Sequence, residues 1–140
     1  MRNTLVVLIG LALAFTLAQP TLADGVPLEI KGVKTVNSDA LIALIQSTDN
    51  LVIIDARVAA EYAEAHIEGA ISLTDTDMTE ALLARQVKSK DTPVLFYCNG
   101  LKCGRAAHAL RQALTWGYRN LYYYALGMTE WKRRELPLVH

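Results

Sequence analysis

The sequence predicts an α/β domain with a mainly parallel sheet and helices on both sides, on three observations. Short apolar runs alternate with helix-like segments about five times along the chain, the order that builds a parallel sheet through crossover helices. Two of the runs, Leu51-Val52-Ile53-Ile54 and Val94-Leu95-Phe96-Tyr97, are apolar at consecutive positions, as in strands covered on both faces. No repeat or low-complexity linker interrupts the alternation, and 140 residues with 52% apolar side chains amount to one domain.

The elements follow in order. Asp24 to Lys31 reads as an irregular lead-in, and Thr35-Val36 as a short extended piece. Asn37 or Ser38 caps a helix whose Leu41, Ile42, Leu44 and Ile45 share one face. The run Leu51 to Ile54 is a strand ending at Asp55. Ala59 to Ala65, rich in alanine and glutamate, is helical and stops near His66. Ala70 to Leu73 is a further short strand. Asp77 with Glu80 has the spacing of a capping box for a helix carrying Ala81, Leu82, Leu83 and Val87. Asp91-Thr92-Pro93 turns into the strand Val94 to Tyr97, the clearest in the chain. A loop from Cys98 leads to a helix from about Gly104 to Trp116, stopped by Gly117. Leu121 to Tyr124 is the last strand and Thr129 to Arg134 the last helix.

The first residues carry a different signal. Arg2 precedes Leu5 to Ala18, a run without charge, and Thr21-Leu22-Ala23 offers small residues where a signal peptidase reads. Fourteen helical residues rise only about 21 Å, short of a hydrocarbon core of about 30 Å. The expectation is a signal peptide over residues 1–23 and a domain over 24–140, in a bacterial periplasm or secreted. Cleavage removes Arg2 and leaves one net negative charge, a balance that recruits neither nucleic acid nor an acidic membrane surface. It also leaves no stable membrane anchor. Two cysteines make neither a disulfide scaffold nor a four-cysteine zinc site. His108 lies five positions after Cys103, but Cys-x4-Cys-x4-His is not a usual zinc spacing, so no metal is assigned.

In open α/β sheets ligands gather at the carboxyl ends of the strands, which directs attention to Cys98-Asn99-Gly100-Leu101-Lys102-Cys103-Gly104-Arg105. Amides in a strand-to-helix turn hold an anion and favour a thiolate on Cys98. Gly100 and Gly104 permit the tight path, and Lys102 and Arg105 add positive charge for an anionic substrate. From the residues alone, the site is a thiolate nucleophile over a small-anion pocket.

Three blocks in the right order resemble the single-domain rhodaneses, a family of sulfurtransferases: Val52-Ile53-Ile54-Asp55-Ala56-Arg57 with Glu61-Tyr62, His66-Ile67 and Gly69-Ala70; Tyr97-Cys98 to Ala106-Ala107; and Gly117-Tyr118, Asn120-Leu121, Gly127-Met128 to Trp131 and Leu136-Pro137-Leu138. The resemblance covers about residues 33–139. It implies a five-stranded, mainly parallel rhodanese-like sheet and a catalytic Cys98 that takes a sulfane sulfur from thiosulfate or a similar donor. The resulting persulfide would pass its sulfur to cyanide or a thiol. Amides from Asn99 to Cys103, with Asn99, Gly100, Leu101, Lys102, Cys103 and Arg105 as binding residues, would hold the charge; Asp55 and Arg57 would pair as structural support. No cofactor is implied. The implied partners are a small anionic sulfur donor and a thiol acceptor, with a periplasmic protein the macromolecular partner considered. Ala65, Thr74, Leu126 and Glu135 depart from residues common in the family, glycine at 65, 126 and 135 and proline at 74; Leu126 alters a wall of the pocket.

Rhodanese-fold phosphatases resemble a Cys-x5-Arg loop, whereas Arg105 here makes Cys-x6-Arg, which misplaces the arginine for phosphate. Cys103 stands where many relatives carry arginine or a polar residue. Two readings therefore stay beside sulfur transfer: thiol–disulfide redox work with Cys103 as a resolving thiol for Cys98, and a non-catalytic sulfur carrier or interaction module. His66 reads as a structural hydrogen-bonder, His140 as a free terminus, Trp116 and Trp131 as packing residues, and Lys132-Arg133-Arg134 as a solvated cluster.

Overall fold

A computed structural model describes residues 25–140; the expected signal segment, 1–23, lies outside the described residues. The elements are β1 (Val33–Thr35), α1 (Ser38–Ser47), β2 (Val52–Asp55), α2 (Ala59–Glu64), β3 (Ala70–Ser72), α3 (Glu80–Gln86), β4 (Val94–Tyr97), α4 (Arg105–Thr115), β5 (Leu121–Tyr124) and α5 (Gly127–Arg133). The strands form one sheet in the order β1-β5-β4-β2-β3, and every neighbouring pair is parallel. The α/β fold class expected from the alternation is the fold observed. Among the described residues no helix is long and apolar enough to cross a membrane.

Alternation of side chains along each strand builds two cores. Ile54, Phe96 and Tyr123 face one side, where they meet Leu83 of α3 and the alanine-rich face of α4, including Ala106, Leu110 and Ala113. Ile53, Leu95, Tyr97 and Tyr124 face the other, against Leu41 of α1 and Met128 and Trp131 of α5. All four β4 residues are fully buried, each side chain contributing about 1.5–3 kcal/mol of burial. That is why their run carries no alternation. Central β4 is bracketed by Asp55 of β2 and Tyr124 of β5 at the level of Tyr97, so Cys98 emerges in the middle of the sheet's carboxyl edge.

Helix starts show where local reading meets tertiary structure. Asn37 caps α1, its Oδ1 accepting from the Ala40 amide at 2.9 Å. The capping box expected at Asp77 does not form. Thr79 has the extended backbone of a cap and its hydroxyl accepts from the Leu82 amide at 3.2 Å, while Asp77 accepts from the Thr74 hydroxyl at 2.7 Å. α5 begins at Gly127, before the expected Thr129, because its first amides are held by the loop after β4.

The C-terminal tail is folded in. Trp131 donates to the Pro137 carbonyl at 2.8 Å, and His66 and Val139 form an antiparallel bridge. His140, expected to be free, reaches the Glu64 carbonyl with Nδ1 at 2.6 Å. Glu135, at the position where relatives often carry glycine, has φ +54°, a left-handed conformation costing about 1–2 kcal/mol for a residue with a Cβ. Glu135→Gly is accordingly expected to stabilise the protein by about 0.5–1 kcal/mol, seen as a higher urea midpoint at unchanged slope. Ala65, another departure, is extended at φ −167° and has no need of glycine.

Candidate active site

The site is built on the loop from Cys98 to Gly104, between β4 and α4. Its shape follows from where its carbonyls go. Cys98 O accepts from the Met128 amide at 3.0 Å, Asn99 O from the Thr129 amide at 2.9 Å, and Leu101 O from the Val26 amide at 3.0 Å. The Thr129 hydroxyl donates to Asn99 O as well, at 2.7 Å. A peptide whose carbonyl is drawn outward turns the following N–H inward, and successive inward amides make an anion-binding concavity. The inward groups meet sulfur: the Gly100 and Ala106 amides favour the thiolate of Cys98, and the Asn99 and Arg105 amides that of Cys103. The Cys103 amide, expected to join the cradle, is instead spent on the Gly100 carbonyl at 2.9 Å.

The close approach of α5 to this loop needs a glycine. Gly127 has φ +56°, and a Cβ built there would lie 2.2 Å from Cys98 O and 2.9 Å from Gly100 N. Gly127 belongs to the C-terminal block of the resemblance, yet its contact with the loop could not be read from sequence, because the two segments are nearly thirty residues apart. Thr129 was placed only at the start of a helix. Glu61 was also missed as a partner of the site: its Oε1 accepts from Asn99 Nδ2 at 2.7 Å.

The two thiols behave as a pair. Cys98 is 2% exposed, Cys103 is half-buried, and both are free. The Cys98 thiol donates to the Cys103 carbonyl at 2.9 Å and is held above its ordinary pKa by its interaction with the neighbouring Cys103 thiol and by burial. Cys103 is lowered to about 6 by that same interaction with Cys98, reinforced by the Asn99 and Arg105 amides and the Arg105 charge against the opposing effect of burial. The thiol that is lowered is thus Cys103, the one nearer solvent, where the sequence pointed to Cys98.

An open cleft of about 680 Å³ lies over the loop, lined by Asn99, Gly100, Leu101, Lys102, Cys103, Leu126, Thr129, Glu130 and Arg133. Cys103 forms part of its wall, with Cys98 behind. Lys102 lines the cleft as an exposed cation. Arg133, assigned to a solvated cluster from sequence, also lines it, while pairing with Glu130 at 3.1 Å. Arg105 does not line it. Its guanidinium is turned to Asp75 at 3.3 Å, and Asp75 also meets His108 Nδ1 at 2.8 Å. Leu126 forms a wall, as its departure from glycine anticipates.

Behind the cleft, Asp55 and Arg57 form a fully buried pair at 2.6 Å. Asp55 also accepts from the Arg57 amide at 3.0 Å and from the Tyr97 hydroxyl at 2.8 Å, and Arg57 donates to the Ala65 carbonyl at 2.7 Å. Tyr97 accepts in turn from the Ile67 amide at 3.2 Å. Burial, and then the Asp55 charge, push the Tyr97 phenol far up. These bonds lock the strand ends flanking Cys98 and do not reach the cleft. His66 is structural too: its Nδ1 meets the Tyr62 carbonyl at 2.9 Å and its ring stacks on Tyr62. Tyr123, on the last strand, buries a hydroxyl with no partner among the described residues, and burial together with the charges of Cys98 and Cys103 raises it to about 12.

Comparisons with known proteins agree with this architecture. The uncharacterized protein YibN of Escherichia coli K12 is 29% identical over 108 residues, covering 76% of this chain and 73% of that protein. The crystal structure of the BH2092 protein from Bacillus halodurans superposes with a TM-score of 0.67 at 24% identity, over 76% of each chain. A thiosulfate sulfurtransferase from Pseudomonas aeruginosa superposes with a TM-score of 0.67 at 24% identity, over 77% of this chain and 20% of that one. Residues 37–134 match the rhodanese-like domain. With the wholly parallel sheet and the loop closing its central strand, the chain belongs to the rhodanese-like domain family.

Proposed function

We propose that the protein is a rhodanese-type sulfurtransferase that moves a sulfane sulfur from thiosulfate or a similar small anionic donor, through a persulfide on Cys98, to a thiol or to cyanide. The observation that carries this reading is the loop, whose outward carbonyls leave amides converging on two thiols at the carboxyl end of the central strand. The name of the Pseudomonas structural neighbour points the same way.

The donor enters the cleft beside Lys102 and Arg133. Cys98 attacks its sulfane sulfur, a sulfur–sulfur bond forms, and with thiosulfate the bond to the sulfonate breaks so that sulfite leaves with the electron pair. The Cys98 proton passes to the Cys103 thiolate, which acts as general base. The persulfide's charge falls where the Gly100 and Ala106 amides already point, stabilisation by fixed donors that need no reorganisation. An acceptor then attacks the outer sulfur and Cys98 leaves as thiolate. The chemistry needs no metal or organic cofactor. The charge-free run before Thr21-Leu22-Ala23 supports export to the periplasm or beyond, where the acceptor is a small thiol or a thiol on a periplasmic protein.

The test is turnover of the purified protein with thiosulfate and cyanide, reading sulfite and thiocyanate. Equal amounts of both are expected. Absence of both at saturating thiosulfate overturns the reading, whereas one equivalent of sulfite with neither thiocyanate nor hydrosulfide turns it into a sulfur carrier. Lys102→Ala is expected to raise the donor KM by roughly fivefold at low salt with kcat unchanged, a difference that shrinks as ionic strength rises.

A further inference from the structure

We propose that Cys103 resolves the Cys98 persulfide, so that sulfur leaves as hydrosulfide and a dithiol reductant entering the cleft is the second substrate. The inference rests on the sulfurtransferase reading above and names its acceptor chemistry. Three observations carry it. The Cys98 thiol donates to the Cys103 carbonyl at 2.9 Å, which holds the two cysteine residues against each other within the loop. Cys98 is 2% exposed and lies behind the wall that Cys103 helps to form. The Asn99 and Arg105 amides and the Arg105 charge favour an anion on Cys103, and the thiolate is the attacking form in disulfide chemistry.

The step balances without an outside oxidant. After loading, a proton returns from Cys103 to the outer sulfur of the persulfide. The Cys103 thiolate attacks the inner sulfur, Cys98 Sγ; a Cys98–Cys103 bond forms, and the bond to the outer sulfur breaks. That sulfur departs as hydrosulfide with both electrons, reduced by two, while the two cysteines are oxidised to a disulfide. The dithiol then attacks the more exposed sulfur, that of Cys103. Cys98 leaves as thiolate, and the reductant's second thiol releases Cys103 and closes its own disulfide. The half-buried position of Cys103 thereby selects which sulfur forms the mixed disulfide.

The experiment uses reduced protein freed of reductant, given thiosulfate without cyanide, with sulfite, hydrosulfide and intact mass followed together. Wild type is expected to release one sulfite and one hydrosulfide per chain, to end two hydrogens lighter with Cys98 and Cys103 in one cross-linked peptide, and to resume turnover on adding dithiothreitol. Cys103→Ser and Cys103→Ala lack the general base and load more slowly; once loaded, they are expected to retain the added sulfur on Cys98, where cyanide still removes it, and to release hydrosulfide roughly 100-fold more slowly per loaded chain. Sulfite release by wild type with a lasting persulfide and no hydrosulfide overturns the proposal and leaves sulfur transfer standing, as does equally fast hydrosulfide release from both Cys103 variants. Release of neither sulfite nor hydrosulfide by wild type, in the presence or absence of cyanide, overturns both.

Discussion

Cys98→Ala is expected to lower sulfite release from thiosulfate by roughly 10⁴-fold or more while the domain stays folded, because deleting the attacking atom of covalent catalysis removes the pathway rather than weakening a contact. Cys103 remains in such a variant, yet its sulfur lacks the Gly100 and Ala106 amides that face Cys98. The fold tolerates the change for a local reason. Cys98 packs in the α4 core as a small apolar residue, and losing one buried sulfur atom costs about 1 kcal/mol. Its single side-chain hydrogen bond, to the Cys103 carbonyl, leaves an acceptor at the half-buried rim of the loop, where water can serve it. The measurement is a thiosulfate–cyanide assay beside a urea melt. Turnover near wild type, with an intact melt, would remove Cys98 from the mechanism.

Gly127→Ala is expected to fail in both respects. The added methyl would sit 2.2 Å from the Cys98 carbonyl oxygen and 2.8 Å from the Asn99 carbonyl carbon, and both obstacles are main chain with no rotamer to yield. Either α5 withdraws and the Met128 and Thr129 amides release the loop, or the loop itself shifts. The left-handed backbone at this position adds about 1–2 kcal/mol for any residue with a Cβ, so a total loss above about 3 kcal/mol is expected. Sulfur transfer at a temperature where the variant is folded is expected to fall roughly 100-fold, since a displacement of about 1 Å in the amides misaligns the site. A urea midpoint and a kcat matching wild type would show that the cradle does not depend on this contact.

The contrast between those residues tells what could be read in advance. The sheet was legible because runs such as Val94 to Tyr97 are apolar at every position, and burial on both faces is the condition that makes them so. Cys98 was legible because a strand end followed by glycines and cations is a local pattern. Thr79 was passed over because Asp77 offered an equally good cap, and the choice between them is made by where α3 packs. Arg105 shows a deeper limit. Its sequence position suggests a cleft cation, yet an acidic partner thirty residues upstream, Asp75, draws the guanidinium away while the charge still acts on Cys103. Which of the two cysteines is the more acidic was likewise out of reach. It depends on unequal burial of two sulfurs, a property of the closed loop and absent from the spacing.

The loop's dependence on α5 has a consequence for the growing chain. Translation delivers Cys98 and Cys103 well before Gly127, Met128 and Thr129, the residues whose docking draws the loop carbonyls outward. Domains emerge amino end first at about 5–20 residues per second. For some seconds, therefore, a nascent chain carries two thiols without the inward amides that the proposed sulfur transfer requires. Competence arrives only once Gly127 to Thr129 have emerged and docked, so a chain cut short before them is chemically quiet by construction.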